Sequence, residues 1–259
     1  MSINNIKPHF YVLYGDGINC ELETKHALES AGAIVSLKTI QDLVESKNWT
    51  KKVQGFVMPG GFSFGDDLGS GQILALKLEL LLQDSIREFV VQKKALLGIC
   101  NGFQALVKMG LLPDHQTQSN KILTLTHNIQ KQFVDKCVDI QVSETSDSPW
   151  IWQLKSKKVF WPVRHGEGAI VISENVSANN IYNALKLNGQ IPLQYTKDIN
   201  GSYERIAALC DPSGLVFGLM PHPEAALYEN LSPVFKRFDK LTYGSGYLFF
   251  RSIVEYFNK

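Results

Sequence analysis

The chain has 259 residues, of which 44% are apolar, enough for one sizeable core, and 26 Lys and Arg stand against 25 Asp and Glu. A formal net charge of +1 provides neither a polyanion-binding surface nor an acidic tail, which argues against nucleic acid as the main ligand. The most leucine-rich stretch, residues 73–82, contains Lys77 and Glu79 and is shorter than the roughly 20 apolar residues a membrane helix needs.

Cys20, Cys100, Cys137 and Cys210 lie far apart with no CxxC pair, and the opening residues 1–8 carry no apolar leader core, so a reducing cytoplasmic setting is expected. No repeat, linker or low-complexity segment divides the chain, and a single domain over 1–259 is expected. Short β-rich runs alternate with longer helical ones over the first hundred residues, the rhythm of a parallel sheet covered on both faces. Residues 9–14 predict a first strand. The turn Gly15-Asp16-Gly17 leads into an amphipathic helix from about 20 to 31, stopped by Gly32, and 33–37 predict a second strand. A third, 55–58, ends at Pro59-Gly60-Gly61, and a polar loop then precedes helix between about 71 and 93. Residues 95–99 predict a fourth, apolar throughout as a strand buried on both faces should be.

Past Gly110-Leu111-Leu112-Pro113 the pattern becomes β-like runs at 122–126, 133–142, 159–163, 169–172, 206–209 and 216–220, joined by polar connections. These extend the sheet or add a layer to it. Apolar residues at helical spacing over 247–257 predict a last helix packed back on the body. The fold class is therefore α/β, a central mostly parallel sheet with helices on both faces and extra β elements.

Cys100 stands where the fourth strand stops, in Leu96-Leu97-Gly98-Ile99-Cys100-Asn101-Gly102-Phe103-Gln104. This is the layout of a nucleophile elbow: strand, sharp turn eased by glycine, then helix, at the carboxyl end of a sheet where α/β folds place ligands. The first amides of the helix favour a negative charge there. A small buried hydrophobe is the alternative for Cys100 alone. A nucleophilic cysteine needs a base and a group to orient it, and the compact candidate is Met220-Pro221-His222-Pro223-Glu224. The prolines disfavour helix, and in an extended segment His222 and Glu224 project to one side, the carboxylate holding the imidazole. Taken alone, a proline-braced loop with a solvated Glu224 is the alternative.

Five glycines fall between 60 and 71, in Gly60-Gly61-Phe62-Ser63-Phe64-Gly65-Asp66-Asp67-Leu68-Gly69-Ser70-Gly71. Acyl transfer creates an oxyanion, and the amides of Gly61 and Asn101 are candidates to receive it; a flexible surface loop is the alternative. Gly15-Asp16-Gly17 lacks the third glycine of a dinucleotide fingerprint, position 20 being Cys. Arg164-His165-Gly166-Glu167-Gly168 offers a second polar cluster, a candidate substrate wall.

Pro59-Gly60-Gly61, Gly98 to Gln104 and Pro221-His222-Pro223-Glu224, in that order, resemble the class I (triad) glutamine amidotransferases. Gly17-Ile18-Asn19-Cys20, Phe62-Ser63-Phe64-Gly65-Asp66, His165-Gly166-Glu167-Gly168 and Asn200-Gly201-Ser202 narrow the likeness to the glutaminase subunits of phosphoribosylformylglycinamidine synthases, over nearly the whole chain. The resemblance implies a flavodoxin-like fold, a triad of Cys100, His222 and Glu224, and glutamine held by Gly60, Gly61, Asn101, Gln104, His165, Gly166 and Glu167. It implies no metal and no cofactor on this chain, with ATP and Mg on a partner synthetase subunit, and a small accessory subunit as a further candidate partner. Two segments depart from many stand-alone subunits, Asp67-Leu68-Gly69-Ser70-Gly71-Gln72 and Gly201-Ser202-Tyr203-Glu204, and bear on docking. An amidotransferase for another acceptor and a silent regulatory subunit of the same fold are the rival readings.

Overall fold

The computed structural model describes residues 7–115, 122–231, 233 and 242–258. The first half follows the expected alternation: β1 (His9–Leu13), α1 (Glu21–Ser30), β2 (Ile34–Lys38), α2 (Ile40–Glu45), β3 (Gly55–Met58), α3 (Gln72–Val91), β4 (Ala95–Ile99) and α4 (Asn101–Lys108). The second half comprises β5 (Leu123–His127), β6 (Val134–Val142), β7 (Val159–His165), β8 (Glu167–Ile172), α5 (Ala178–Leu187), β9 (Leu193–Tyr195), β10 (Ile206–Cys210), β11 (Val216–Leu219) and α6 (Ser245–Phe257).

Nine strands form one sheet in the order β2-β1-β3-β4-β11-β10-β9-β6-β7. From β2 to β11 every neighbour is parallel; from β11 to β7 every neighbour is antiparallel. The parallel part has the flavodoxin order, whose direction of winding reverses between β1 and β3 and leaves a crevice at the carboxyl ends there. β5 and β8 pair separately, antiparallel. The later β-like runs thus do both things expected of them, four joining the sheet beyond β4 and two making a separate ribbon.

β3, β4, β10 and β11 are buried along their whole length, as strands covered on both faces must be. α1 and α6 pack together, tied by Arg251 Nη1 donating to Ala31 O at 2.9 Å, and α3 packs with α4. Trp49 stacks on Phe89 on the α3 side, while Trp150 stacks on Phe249 of α6. Three elements have no counterpart in the sequence reading. α2 is a six-residue helix held by a capping box between Thr39 and Asp42, α5 starts from a Ser177 cap, and β9 has three residues. α2 and β9 are too short to carry a hydrophobic period, whereas α5 carries one, Ala178, Ile181, Tyr182 and Leu185 on one face, within a stretch read as polar connections; the segment between β8 and β10 is therefore more ordered than that reading implies.

Candidate active site

Parallel pairing of β3 with β4 and of β4 with β11 sets Met58 beside Gly98, and Ile99 beside Leu219. The loops leaving these strands therefore emerge side by side, which brings Gly60, Cys100 and His222 to one edge. Cys100 caps α4 at φ 49° and ψ −102°, a left-handed conformation that costs a non-glycine residue of order 1–3 kcal/mol and is typical of a nucleophile elbow. Its amide donates to Leu219 O at 2.7 Å, and its carbonyl accepts from Gln104 N at 3.0 Å. Gly102 makes the turn sterically feasible, since a Cβ there would lie 2.0 Å from Met58 O. Cys100 is 5% exposed, and its thiol points to Arg164 O at 3.5 Å.

His222 is 2% exposed, and its Nδ1 lies 2.5 Å from Glu224 Oε1. The side chains meet as expected, but by a different backbone: His222, at φ −108° and ψ 86°, caps a 3-10 turn over Pro223–Ala226 with proline at its start. Proline there needs no amide partner, so the residue that disfavours an α-helix initiates a tighter one. His222 N donates to Pro162 O at 2.8 Å, pinning the turn to β7. Burial opposes charge on His222, yet the Glu224 carboxylate, with the neighbouring thiols Cys100 and Cys20, outweighs it and raises the imidazole well above its ordinary pKa. Nε2 of His222 is buried without a hydrogen-bond partner.

The loop after β3 is braced from below. Gly61 sits at φ 151°, and Ile18 bridges to it; a Cβ on Gly61 would fall 2.8 Å from both Gly17 O and Ile18 Cα. Cys20 N donates to Gly60 O at 3.2 Å and Phe62 N to Gly17 O at 2.9 Å. Beyond, Phe64, Gly65 and Asp66 all have positive φ. Asn101 holds this loop: its Oδ1 accepts from Ser63 Oγ at 2.5 Å, and its Nδ2 donates to Asp66 Oδ1 at 3.0 Å and Gln104 Oε1 at 3.1 Å. Gln104 Nε2 in turn donates to Glu167 O. The side chains of Asn101 and Gln104 are thus engaged in the wall of the site, leaving the backbone amide of Asn101 as its contribution at the elbow.

The opposite wall is the turn joining β7 to β8. Glu167 Oε2 accepts from Ser70 N at 3.3 Å and Oε1 lies 3.6 Å from His127 Nδ1, while Gly166 O accepts from Asn128 N at 2.9 Å. Asn128 organises this turn, and nothing in its sequence context marks it. Its Nδ2 donates to the carbonyls of Gln132 and His165, so its Oδ1 faces Gly168 N and His165 Nδ1. Two donors meeting one oxygen place the His165 proton on Nδ1 and leave the Nε2 lone pair buried and unpartnered. Burial, followed by repulsion from His222, lowers the His165 pKa to about 4. Tyr195 is a further residue the sequence does not advertise. Its hydroxyl is buried and unpartnered, and burial together with the nearby charge of Cys100 keeps the phenol protonated.

The arrangement can therefore present a sulfur nucleophile, a proton carrier oriented by a carboxylate, and backbone amides on either side of the elbow. The model of the CobB/CobQ-like glutamine amidotransferase domain matches residues 7–257. The phosphoribosylformylglycinamidine synthase subunit PurQ of Methanococcus maripaludis is 34% identical, covering 98% of this chain and 99% of its own length. PurQ of Treponema denticola is 36% identical over 85% of this chain and 88% of its own. A chain in the structure of PurLQS from Thermotoga maritima superposes with a TM-score of 0.75 at 32% identity, covering 97% of this chain and 100% of that one. The order of Cys100, His222 and Glu224 on a flavodoxin-type sheet, with matches of this extent, shows that the chain belongs to the glutamine amidotransferase family of the PurQ subunits.

Proposed function

We propose that this chain hydrolyses the side-chain amide of glutamine through a cysteinyl thioester on Cys100 and passes the ammonia to a synthetase subunit. That subunit uses ATP and Mg to convert formylglycinamide ribonucleotide to formylglycinamidine ribonucleotide in de novo purine synthesis. The observation that carries this reading is the strained turn at Cys100 set beside the buried His222–Glu224 pair.

The Cys100 thiolate attacks the carboxamide carbon, and the amides of Gly61 and Asn101 stabilise the oxyanion. His222, kept protonated by the Glu224 carboxylate at Nδ1, donates its Nε2 proton to the departing nitrogen as the C–N bond breaks, and ammonia leaves. The neutral imidazole then takes a proton from water, whose oxygen attacks the thioester; the C–S bond breaks, glutamate leaves, and thiolate and imidazolium are restored. The His165 Nε2 lone pair, buried without a partner, suits an N–H donor of the substrate. The intact triad argues against a silent regulatory subunit. The PurQ names of the relatives favour this acceptor over another.

Cys100→Ala tests the reading in the reconstituted complex. Glutamine-dependent synthesis is expected to be lost, while synthesis from free ammonium persists. Survival of both overturns the assignment of the nucleophile.

A further inference from the structure

Cys20 enters no step of this reaction, yet the fold carries its sulfur to the imidazole of His222. The sulfur of Cys20, a ring nitrogen of His222 and a carboxylate oxygen of Glu224 all lie within 4.8 Å of one another. A Cβ on Gly60 would fall 3.4 Å from Cys20 Sγ, 3.4 Å from His222 Nδ1 and 2.7 Å from His222 Cε1, so thiol and ring edge share one small volume against bare backbone. Two of the three residues keep uncommitted donor atoms: Nε2 of His222 and Oε2 of Glu224 are buried with no hydrogen-bond partner. The residues themselves are 2% and 4% exposed. Cys20 is half-buried, so the group opens outward on its thiol side.

Thiolate, imidazole and carboxylate are the donors from which tetrahedral zinc sites are built, at bond lengths of roughly 2.0–2.3 Å. Sulfur and nitrogen donors select a thiophilic ion over magnesium or calcium. Donors this close need only side-chain rotation to converge on one ion. We propose that Cys20, His222 and Glu224 form a site for a thiophilic divalent cation, zinc(II) by chemistry, and that occupancy switches off glutamine hydrolysis. The site stands on geometry; its inhibitory consequence rests on the amidotransferase reading. Binding releases the Cys20 thiol proton and one proton of the His222 imidazolium to solvent, and the ion takes the imidazole lone pair that proton transfer requires.

Cobalt(II), which reports thiolate ligation by a charge-transfer band and tetrahedral geometry by its visible bands, is the probe. In the full chain carrying Cys100→Ala, one equivalent of cobalt(II) is expected to bind with both signatures and to be displaced by zinc(II). Adding Cys20→Ser is expected to abolish the charge-transfer band and to weaken binding by at least the roughly 10–100-fold that even outer-shell partners carry. Cys20→Ala serves as the second variant should serine disturb the turn. With Cys100 intact, in the reconstituted complex, zinc(II) is expected to suppress glutamine-dependent but not ammonium-dependent synthesis, and Cys20→Ser to demand at least tenfold more zinc(II) for the same effect. Absence of the band in the Cys100→Ala chain, or its survival in the double variant, overturns the site. Unchanged zinc(II) sensitivity in Cys20→Ser overturns the switch. Neither outcome touches the assignment of Cys100, which is read from glutamine against ammonium.

Discussion

His165 feels the charge of His222, and their environments push the two imidazoles in opposite directions. His222 has a carboxylate at Nδ1; His165 has an amide oxygen there and is surrounded by apolar burial. The sign of each contribution to stability follows. His222, raised above its unfolded pKa, contributes stability that is complete below about 6.5 and is lost as pH rises through its folded value. His165, lowered from 6.5 to about 4, does the reverse: the unfolded chain takes up its proton first, so the fold loses stability as pH falls from about 6.5 to about 4. At roughly 1.4 kcal/mol per pH unit this amounts to about 3 kcal/mol over the window. His165→Gln is expected to remove that slope, so that urea unfolding at pH 7 and pH 4.5 shows a loss smaller than the wild type's by about 2–3 kcal/mol. Equal slopes would place the acid sensitivity elsewhere.

At the scale of elements, the junction of β4 with α4 holds Cys100 in its strained turn, and glycine sets its tolerances. Gly102 faces the carbonyl of Met58 at the end of β3, a backbone atom that cannot rotate away. Gly102→Ala is therefore expected to cost about 3 kcal/mol or more and to displace Cys100, since overpacking against fixed atoms forces the helix off the sheet. Gly110, just past the other end of α4, has φ 69° and open space around its Cβ position. Gly110→Ala is expected to cost only about 1 kcal/mol, the backbone term alone. Chemical denaturation of both variants checks the contrast, and a similar cost for the two would mean that the strand-to-helix contact does not hold the elbow. Cys100 was legible as an elbow from its own neighbours because these constraints act within a few residues. The 3-10 turn at Pro223 was not, because the same proline serves an extended segment and a first helical position equally well.

Across the whole molecule, the site joins two halves of one sheet. Parallel strands deliver Cys100, His222 and Glu224; the antiparallel extension supplies His165 and Tyr195, and the separate β5–β8 ribbon supplies Glu167 to the facing wall. Ser70 and Gln104 bond to Glu167, and Asp66 and Asn101 join the same network, tying the loop after β3 and the start of α4 to that ribbon. With Cys100 5% and His222 2% exposed, the proposed nucleophile and base lie within a hydrogen-bonded shell. A partner that shifts this shell is expected to change turnover, since couplings between sites are typically 1–3 kcal/mol, or about 5–150-fold. Glutamine hydrolysis by the isolated chain is expected to be slower by about that factor than in the complex with synthetase and acceptor nucleotide. Equal turnover in a steady-state ammonia assay would remove the coupling. Among the described residues no helix is long and apolar enough to cross a membrane.

The amino-acid sequence by itself determined the strand and helix periods, the elbow at Cys100 and the pairing of His222 with Glu224, because each depends on steric rules and hydrophobic spacing between near neighbours. Only the tertiary structure decided that Cys20 reaches the same imidazole, that Asn128 chooses the His165 tautomer, and that Asn101 and Gln104 hold the wall with their side chains. Those contacts depend on which strands lie side by side, and strand order is settled by packing of the whole chain, with no local pattern to announce it.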